Sequence, residues 1–269
     1  MINLEELTKE VCSVAREAGS YINKERAGFS VERVERKHAH DYVSYVDKGS
    51  ERMIVEALKA LLPEAGFITE EGLATHREEQ MLWVVDPLDG TTNFIHGFAP
   101  YAVSIALTQG REILLGVVYE VCANECFYAW KGGGAYVDGK AIHVGNSAIG
   151  DALICLQLPY NSDAYKPIIE RLIDRFYGNV GSIRMIGSAA MALCYVAAGR
   201  FDAYAERYIG QWDYMAGALI VKEAGGRVTN YEGEDYMMEG DSVVATNGET
   251  HDPLLEAISE VQPCPQDLR

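Results

Sequence analysis

Apolar residues at Leu4, Leu7, Val11, Val14, Ala15, Ala18 and Ile22 recur at helical spacing, so residues 3–26 are predicted to form an amphipathic helix with its charges outward. A second helix is expected from Lys48 to Leu62, stopped by Pro63. Between them, Ser30 to Val46 lacks helical periodicity and is expected to hold a hairpin. From Tyr101 to Val144 the pattern changes to β-branched and aromatic runs. These are broken at Gln109-Gly110, Ala123-Asn124 and Asp138-Gly139, which predicts an antiparallel sheet. Beyond Gly150 strands and helices are mixed. Strands are expected at Ala152–Leu158, Phe201–Glu206, Arg227–Thr229 and Ser242–Thr246. Helices are expected at Ala164–Tyr177, from Ser188, and at Trp212–Ala224.

The fold class this implies is α/β in the broad sense, with α+β character: two layered halves, residues 1–148 and 149–269, packed intimately enough to act as one unit. No Pro/Gly/Ser-rich linker or internal repeat separates them. With 269 residues, 48% hydrophobic and 23% charged, the chain can build its core without disulfides. Forty acidic against 23 basic residues leave a net charge of −17, which disfavours nucleic acid and anionic membranes as partners. An anionic substrate therefore needs a local positive charge, such as a metal.

Acids at Glu5, Glu6 and Glu10 interrupt any apolar signal core, so a cytoplasmic location is expected. Gly90–Gly110 is too polar to span a membrane and Met185–Gly199 too short, so the latter reads as a buried helix. The six cysteines are scattered and expected to be reduced; Cys122 and Cys126 have no second pair nearby to complete a zinc site.

The chemistry concentrates between Trp83 and Phe94, where an apolar strand runs into Asp86-Pro87-Leu88-Asp89 and then Gly90-Thr91-Thr92-Asn93. Pro87 cannot extend a ladder, so the chain is expected to leave the sheet where Asp86 sits. Two carboxylates and the Leu88 carbonyl then converge on one turn, part of the oxygen array that a hard cation such as Mg²⁺ takes. Gly90-Thr91-Thr92 can open a helix and offer N–H groups to a phosphate. The same string also fits a surface turn capped by Thr91 or Thr92. Two further acidic segments favour the metal reading: Glu70-Glu71 after a short apolar strand, and Asp213, which alone would read first as a helix cap.

Together, Asp86 to Phe94, Glu70-Glu71 upstream, and Trp212-Asp213 with Glu223-Ala224-Gly225-Gly226 downstream are similar to the inositol monophosphatase family of Mg²⁺-dependent, lithium-sensitive phosphatases. The match runs in order from Lys37 to about Gly226. The resemblance implies a layered αβαβα sandwich of the inositol monophosphatase and fructose-1,6-bisphosphatase type, a homodimer, and roughly two to three Mg²⁺ per active site. It implies that Glu70, Asp86 and the Leu88 carbonyl hold the first metal, and that Asp86, Asp89 and Asp213 hold the second, with Glu70 bordering a third. Asp47 and Thr91 would activate the attacking water with Glu70 in the catalytic set, and Gly90, Thr91 and Thr92 would cradle the phosphate. The implied reaction is in-line attack of a metal-activated water on a phosphomonoester.

For the substrate alcohol the resemblance implies Glu206, Ser188 and Lys37. Glu206 could equally be a solvated acid, and Ser188 a cap of the buried helix. Arg36 competes with Lys37 for the basic position, and His38 and His40 read as a solvated loop. The run from Lys131 to Ala135 reads as a hairpin turn and not as a nucleotide loop. The expected substrate is myo-inositol monophosphate or a similar polyol or sugar phosphate. Fructose 1,6-bisphosphate, a 3′(2′),5′-bisphosphate nucleotide, and a regulatory role on transcription machinery are the alternatives.

Overall fold

The computed structural model describes residues 2–29, 34–38, 41–74, 80–159, 162–235 and 240–260, with the backbone only of 34–38, 41–43 and 162. Helix α1 (Leu4–Ala27) starts at Asn3, whose side chain accepts the Glu6 N–H. Glu5 and Glu6 lie in its first turn and Lys24 and Arg26 in its last, each charge matched to the local end of the helix dipole. A hairpin of β1 (Val34–His38) and β2 (Asp41–Ser44) follows and leads into α2 (Tyr45–Leu61). That helix begins three residues before the expected Lys48, because Ser44 and Asp47 cap each other's backbone.

Seven strands then form one sheet in chain order: β3 (Gly66–Thr69), β4 (Met81–Asp89), β5 (Ala102–Gln109), β6 (Glu112–Glu120), β7 (Glu125–Trp130), β8 (Gly134–Val137) and β9 (Lys140–Ile142). β3 and β4 pair in parallel and all later neighbours antiparallel. The short helix α3 (Thr91–His96) lies between β4 and β5. Asp138 and Gly139 both take positive φ in the β8–β9 turn, the conformation the Asp-Gly pair predicts.

The rest of the chain supplies β10 (Leu153–Leu156), α4 (Ser162–Phe176), β11 (Ser182–Arg184), α5 (Ala189–Ala197), β12 (Ala203–Arg207), α6 (Gln211–Glu223), β13 (Arg227–Thr229), β14 (Ser242–Thr246) and α7 (His251–Ser259). Its five-stranded sheet has the order β11-β10-β12-β14-β13. β11 and α7 are not evident from the sequence pattern.

Three apolar clusters bind the elements into five layers. One packs α1 and α2 on the outer face of the seven-stranded sheet, one sets α5 and α6 between the two sheets, and one packs α4 and α7 on the far side. The αβαβα order is the one the resemblance implies. Residues 214–221 of α6 are buried on every side, as a helix in a middle layer must be. Its close approach to β6 depends on Gly116, where a Cβ would fall 2.5 Å from the Ala216 carbonyl oxygen. Among the described residues no helix is long and apolar enough to cross a membrane.

His251 at the start of α7 is fully buried, with Nε2 3.0 Å from the Thr229 hydroxyl and Nδ1 3.0 Å from that of Thr246. Burial, assisted by the Arg227 charge, lowers its pKa to about 4. Between the ordinary value near 6.5 and that value, the unfolded chain binds a proton that the folded one refuses. Stability from this residue is complete above pH ~6.5 and is lost as the pH falls through about 4. Denaturant titrations at pH 7 and pH 4 are expected to show the native protein losing on the order of 2 kcal/mol more than His251→Gln. Equal losses would refute this.

Candidate active site

The site is built on an irregularity in β4. Asp86 pairs with Ser104 and Asp89 with Ala102, so three steps along β4 match two along β5, a bulge of one extra residue. Without it, positions three apart would point to opposite faces; with it, Asp86 and Asp89 share the face toward α6. The expectation that the chain leaves the sheet at Asp86 is therefore corrected. Pro87, having no N–H, sits in the bulge, and pairing resumes at Asp89. Leu88 anchors the bulge in the outer core, and its N–H donates to Asp86 Oδ1 at 2.9 Å.

Asp213 arrives from the other half of the chain. Tyr208 leaves β12 with a positive φ, and Asp213, in the first turn of α6, accepts the Gly210 N–H at 2.6 Å. It is thus a helix cap and a site residue at once. Carboxylate oxygens of Asp86, Asp89 and Asp213 lie within 4.8 Å of one another. Glu70 follows β3, where its N–H donates to the Val85 carbonyl, and it lines the same cavity of about 240 Å³.

Burial raises Asp86, Asp89 and Asp213, and the neighbouring carboxylates raise Asp86 and Asp213 further. Asp86 is well above the usual carboxylate range, first through desolvation and then through Glu70, Asp89 and Asp213. Asp213 is raised well above it too, through burial, Asp89 and Glu70. Asp89 rises only to about 6, since it accepts the Ser188 hydroxyl and the Ala190 N–H at the start of α5. A cluster of carboxylates that cannot all be charged alone is a donor set suited to divalent cations, which reverse the repulsion.

Thr91, at the wall of the same cavity, is buried, with its hydroxyl 3.0 Å from Asp47 Oδ1 and 2.9 Å from the Leu88 carbonyl. Asp47 is fully buried, and this raises its pKa against the lowering effect of bonds from Ser44 and Thr91. Gly90, in the left-handed region at φ 84°, turns the chain from β4 into α3 and brings Thr91 and Thr92 to the cavity.

A second cavity of about 440 Å³ adjoins the first and shares Asp89, Gly90 and Asp213 with it. Glu206 lines it, is buried, accepts the Tyr204 hydroxyl at 2.6 Å and is pushed by burial up to about 8; it is not a solvated acid. Ser188 lines this cavity too, at 1% exposure: its hydroxyl donates to Asp89 and accepts the Met191 N–H, so it supports Asp89 and caps α5 at the cavity wall. The side chain of Lys37 and all of His40 lie outside the described residues, and His38 is described only as backbone of β1.

Sequence reasoning passed over the residues that shape this cavity. Asn93 Nδ2 donates to the carbonyls of Pro100 and Ile186, and Gln157 Oε1 accepts the N–H groups of Ile186 and Gly187. Asn93 could have been found as a member of the Asp86–Phe94 string, whereas Gln157 has no local signal. The five described cysteines are unpaired, with Cys126 buried in β7 and Cys122 exposed before it. The glycine run after Lys131 is the β7–β8 turn, its Gly132 and Gly134 N–H groups bonded to Glu223.

Comparison with known proteins identifies the family of the whole chain. The model of the inositol monophosphatase family matches residues 3–263. Inositol monophosphatase 2 of Solanum lycopersicum is 39% identical over 268 residues, covering 96% of this chain and 99% of that protein. The fructose-1,6-bisphosphatase/inositol-1-monophosphatase of Thermotoga maritima is 34% identical over 232 residues, covering 86% and 88%. Among solved structures, the extragenic suppressor protein suhB from Bartonella henselae superposes with a TM-score of 0.88 at 34% identity, over 94% of this chain and 98% of that one. With the family match running over nearly its whole length, this chain belongs to the inositol monophosphatase family.

Proposed function

We propose that the protein is a Mg²⁺-dependent phosphomonoesterase that hydrolyses myo-inositol monophosphate or a closely related polyol or sugar phosphate. The observation that carries the reading is the cluster of Asp86, Asp89 and Asp213, oxygens within 4.8 Å of one another, which lines the smaller cavity and reaches the larger one through Asp89 and Asp213. Glu70, Asp86 and the Leu88 carbonyl would hold one ion, and Asp86, Asp89 and Asp213 another, with Glu70 next to a third. Bound there, Mg²⁺ would supply Lewis-acid stabilisation of the phosphoryl and leaving oxygens and make a water more acidic.

The chain's own residues do the rest. Gly90, Thr91 and Thr92, at the cavity walls, would cradle the phosphate oxygens. The Thr91 hydroxyl accepts from the attacking water and passes a proton toward Asp47, whose burial makes it a stronger base than a surface carboxylate. Glu206 offers its oxygens to hydroxyls of the substrate alcohol from the wall of the larger cavity. A homodimer fits the exposed apolar side chains of Phe98, Leu158 and Met185 at that cavity. A cytoplasmic location fits the unpaired cysteines. Lithium would inhibit by competing at the second metal position.

The bisphosphatase alternative has a specific motive in the double name of the Thermotoga maritima relative. Phosphate release from inositol 1-phosphate, fructose 1,6-bisphosphate and adenosine 3′,5′-bisphosphate separates the readings. The expected order places inositol 1-phosphate first, with Glu206→Ala lowering its kcat/KM about tenfold or more. Fastest turnover of the nucleotide, or no effect of Glu206→Ala, would contradict the assignment.

A further inference from the structure

The buried face of α2 carries an unusual polar stripe. Val46, Ile54 and Leu58 fill the core as a helix face should, yet Asp47, Ser50 and Glu51, at spacings of three and four residues, are equally buried at 0% exposure. Each reaches a different part of the site. Asp47 meets the Thr91 hydroxyl, and the Ser50 hydroxyl donates to the Pro87 carbonyl in the β4 bulge at 3.0 Å. Glu51 Oε1 accepts the Thr69 hydroxyl and the Leu73 N–H, and Oε2 accepts the Glu71 N–H, all at 2.8 Å.

Thr69 and Glu71 flank Glu70. We propose that Glu51 is a positioning residue for the metal centre, holding the backbone on both sides of Glu70 so that its carboxylate stays aimed into the cavity. The inference rests on the metal-dependent reading above. A buried carboxylate is costly unless its oxygens are hydrogen-bonded, and core packing alone would be served better by an apolar residue at position 51. Three donors on two oxygens call for a carboxylate; glutamine would turn an NH₂ toward one of them. The clamp also meets a specific need. Before any cation arrives, Asp86 and Asp213 repel Glu70, and the segment carrying it runs into exposed Gly72 and Leu73, so without an anchor Glu70 would swing outward. Helix α2 thus sets the β3 loop, the bulge and Thr91 against one rigid reference.

The test measures Mg²⁺ binding to the metal-stripped full-length protein by calorimetry without substrate, together with the Mg²⁺ dependence of phosphate release and the melting temperature. Glu51→Gln is expected to weaken Mg²⁺ binding about tenfold or more, and its lost phosphate release is expected to return as Mg²⁺ is raised. Thr69→Val, which removes one donor of the clamp and leaves Glu51 in place, is expected to shift affinity less and in the same direction. It serves as the test should Glu51→Gln fail to fold. A lower melting temperature with unchanged Mg²⁺ affinity in a folded Glu51→Gln, or an unchanged affinity in Thr69→Val where Glu51→Gln does not fold, would overturn the proposal. Absence of Mg²⁺ binding by the unaltered protein would instead overturn the metal reading beneath it.

Discussion

Asp86→Asn is expected to lower phosphate release about 10³-fold or more while making the metal-free protein more stable, two changes of opposite sign from one substitution. Asp86 is the residue common to both proposed cation positions, so the amide removes a charge from each. The same carboxylate is fully buried and faces Glu70, Asp89 and Asp213, which together push it well above the ordinary range. Replacing it relieves that repulsion, and its Oδ1 can still accept the Leu88 N–H, so the bulge survives. Melting of the chelated protein is expected to rise by about 3 °C or more, and added Mg²⁺ to stabilise the native protein much more than the variant. A variant that keeps its activity, or that melts lower when both proteins are metal-free, would show that the acids are not arranged around cations.

Thr91→Ala is expected to lower kcat about 10²- to 10³-fold with KM and Mg²⁺ affinity little changed, and Asp47→Asn to do the same. A hydroxyl has one proton to give. With acceptors at 3.0 Å on Asp47 and 2.9 Å on Leu88, giving it to Asp47 leaves the Leu88 carbonyl free for a cation and the Thr91 lone pairs free for water. Both variants break the same relay, so the double variant should be little worse than either single one. Thr91→Ser, which keeps the hydroxyl, should retain activity to within about tenfold. Steady-state kinetics at saturating Mg²⁺ decide the matter. Additive losses in the double variant, or a rise in KM alone, would separate the two residues.

Much of this site is legible in the sequence because it is packed into Asp86–Asn93, where one short segment brings two carboxylates, a carbonyl and a Gly-Thr-Thr turn together. Asp213 and Glu70 carry only weak local signals and gain meaning through resemblance. Pro87 misled the local reading: its missing N–H predicts an end to pairing, but an antiparallel strand can absorb one such residue as a bulge and resume at Asp89. That bulge is what sets the two acids on one face.

The hydrogen-bond commitments of buried polar groups could not be read at all. Ser188 as a substrate contact and Ser188 as the partner of Asp89 look identical in sequence, and the contact is decided by how α5 packs beside β4. Glu51, Asn93 and Gln157 escape for the same reason, since each works on backbone groups brought near only by the fold. The short β11 offers three residues, too few for a period, and α7 only nine.

Hydrolysis of inositol 1-phosphate by the purified protein, before and after exhaustive removal of divalent ions and through a Mg²⁺ back-titration, tests the central claim most directly. The acid cluster predicts that chelation abolishes phosphate release and that Mg²⁺ restores it in full. An undiminished rate in the chelated protein would contradict it.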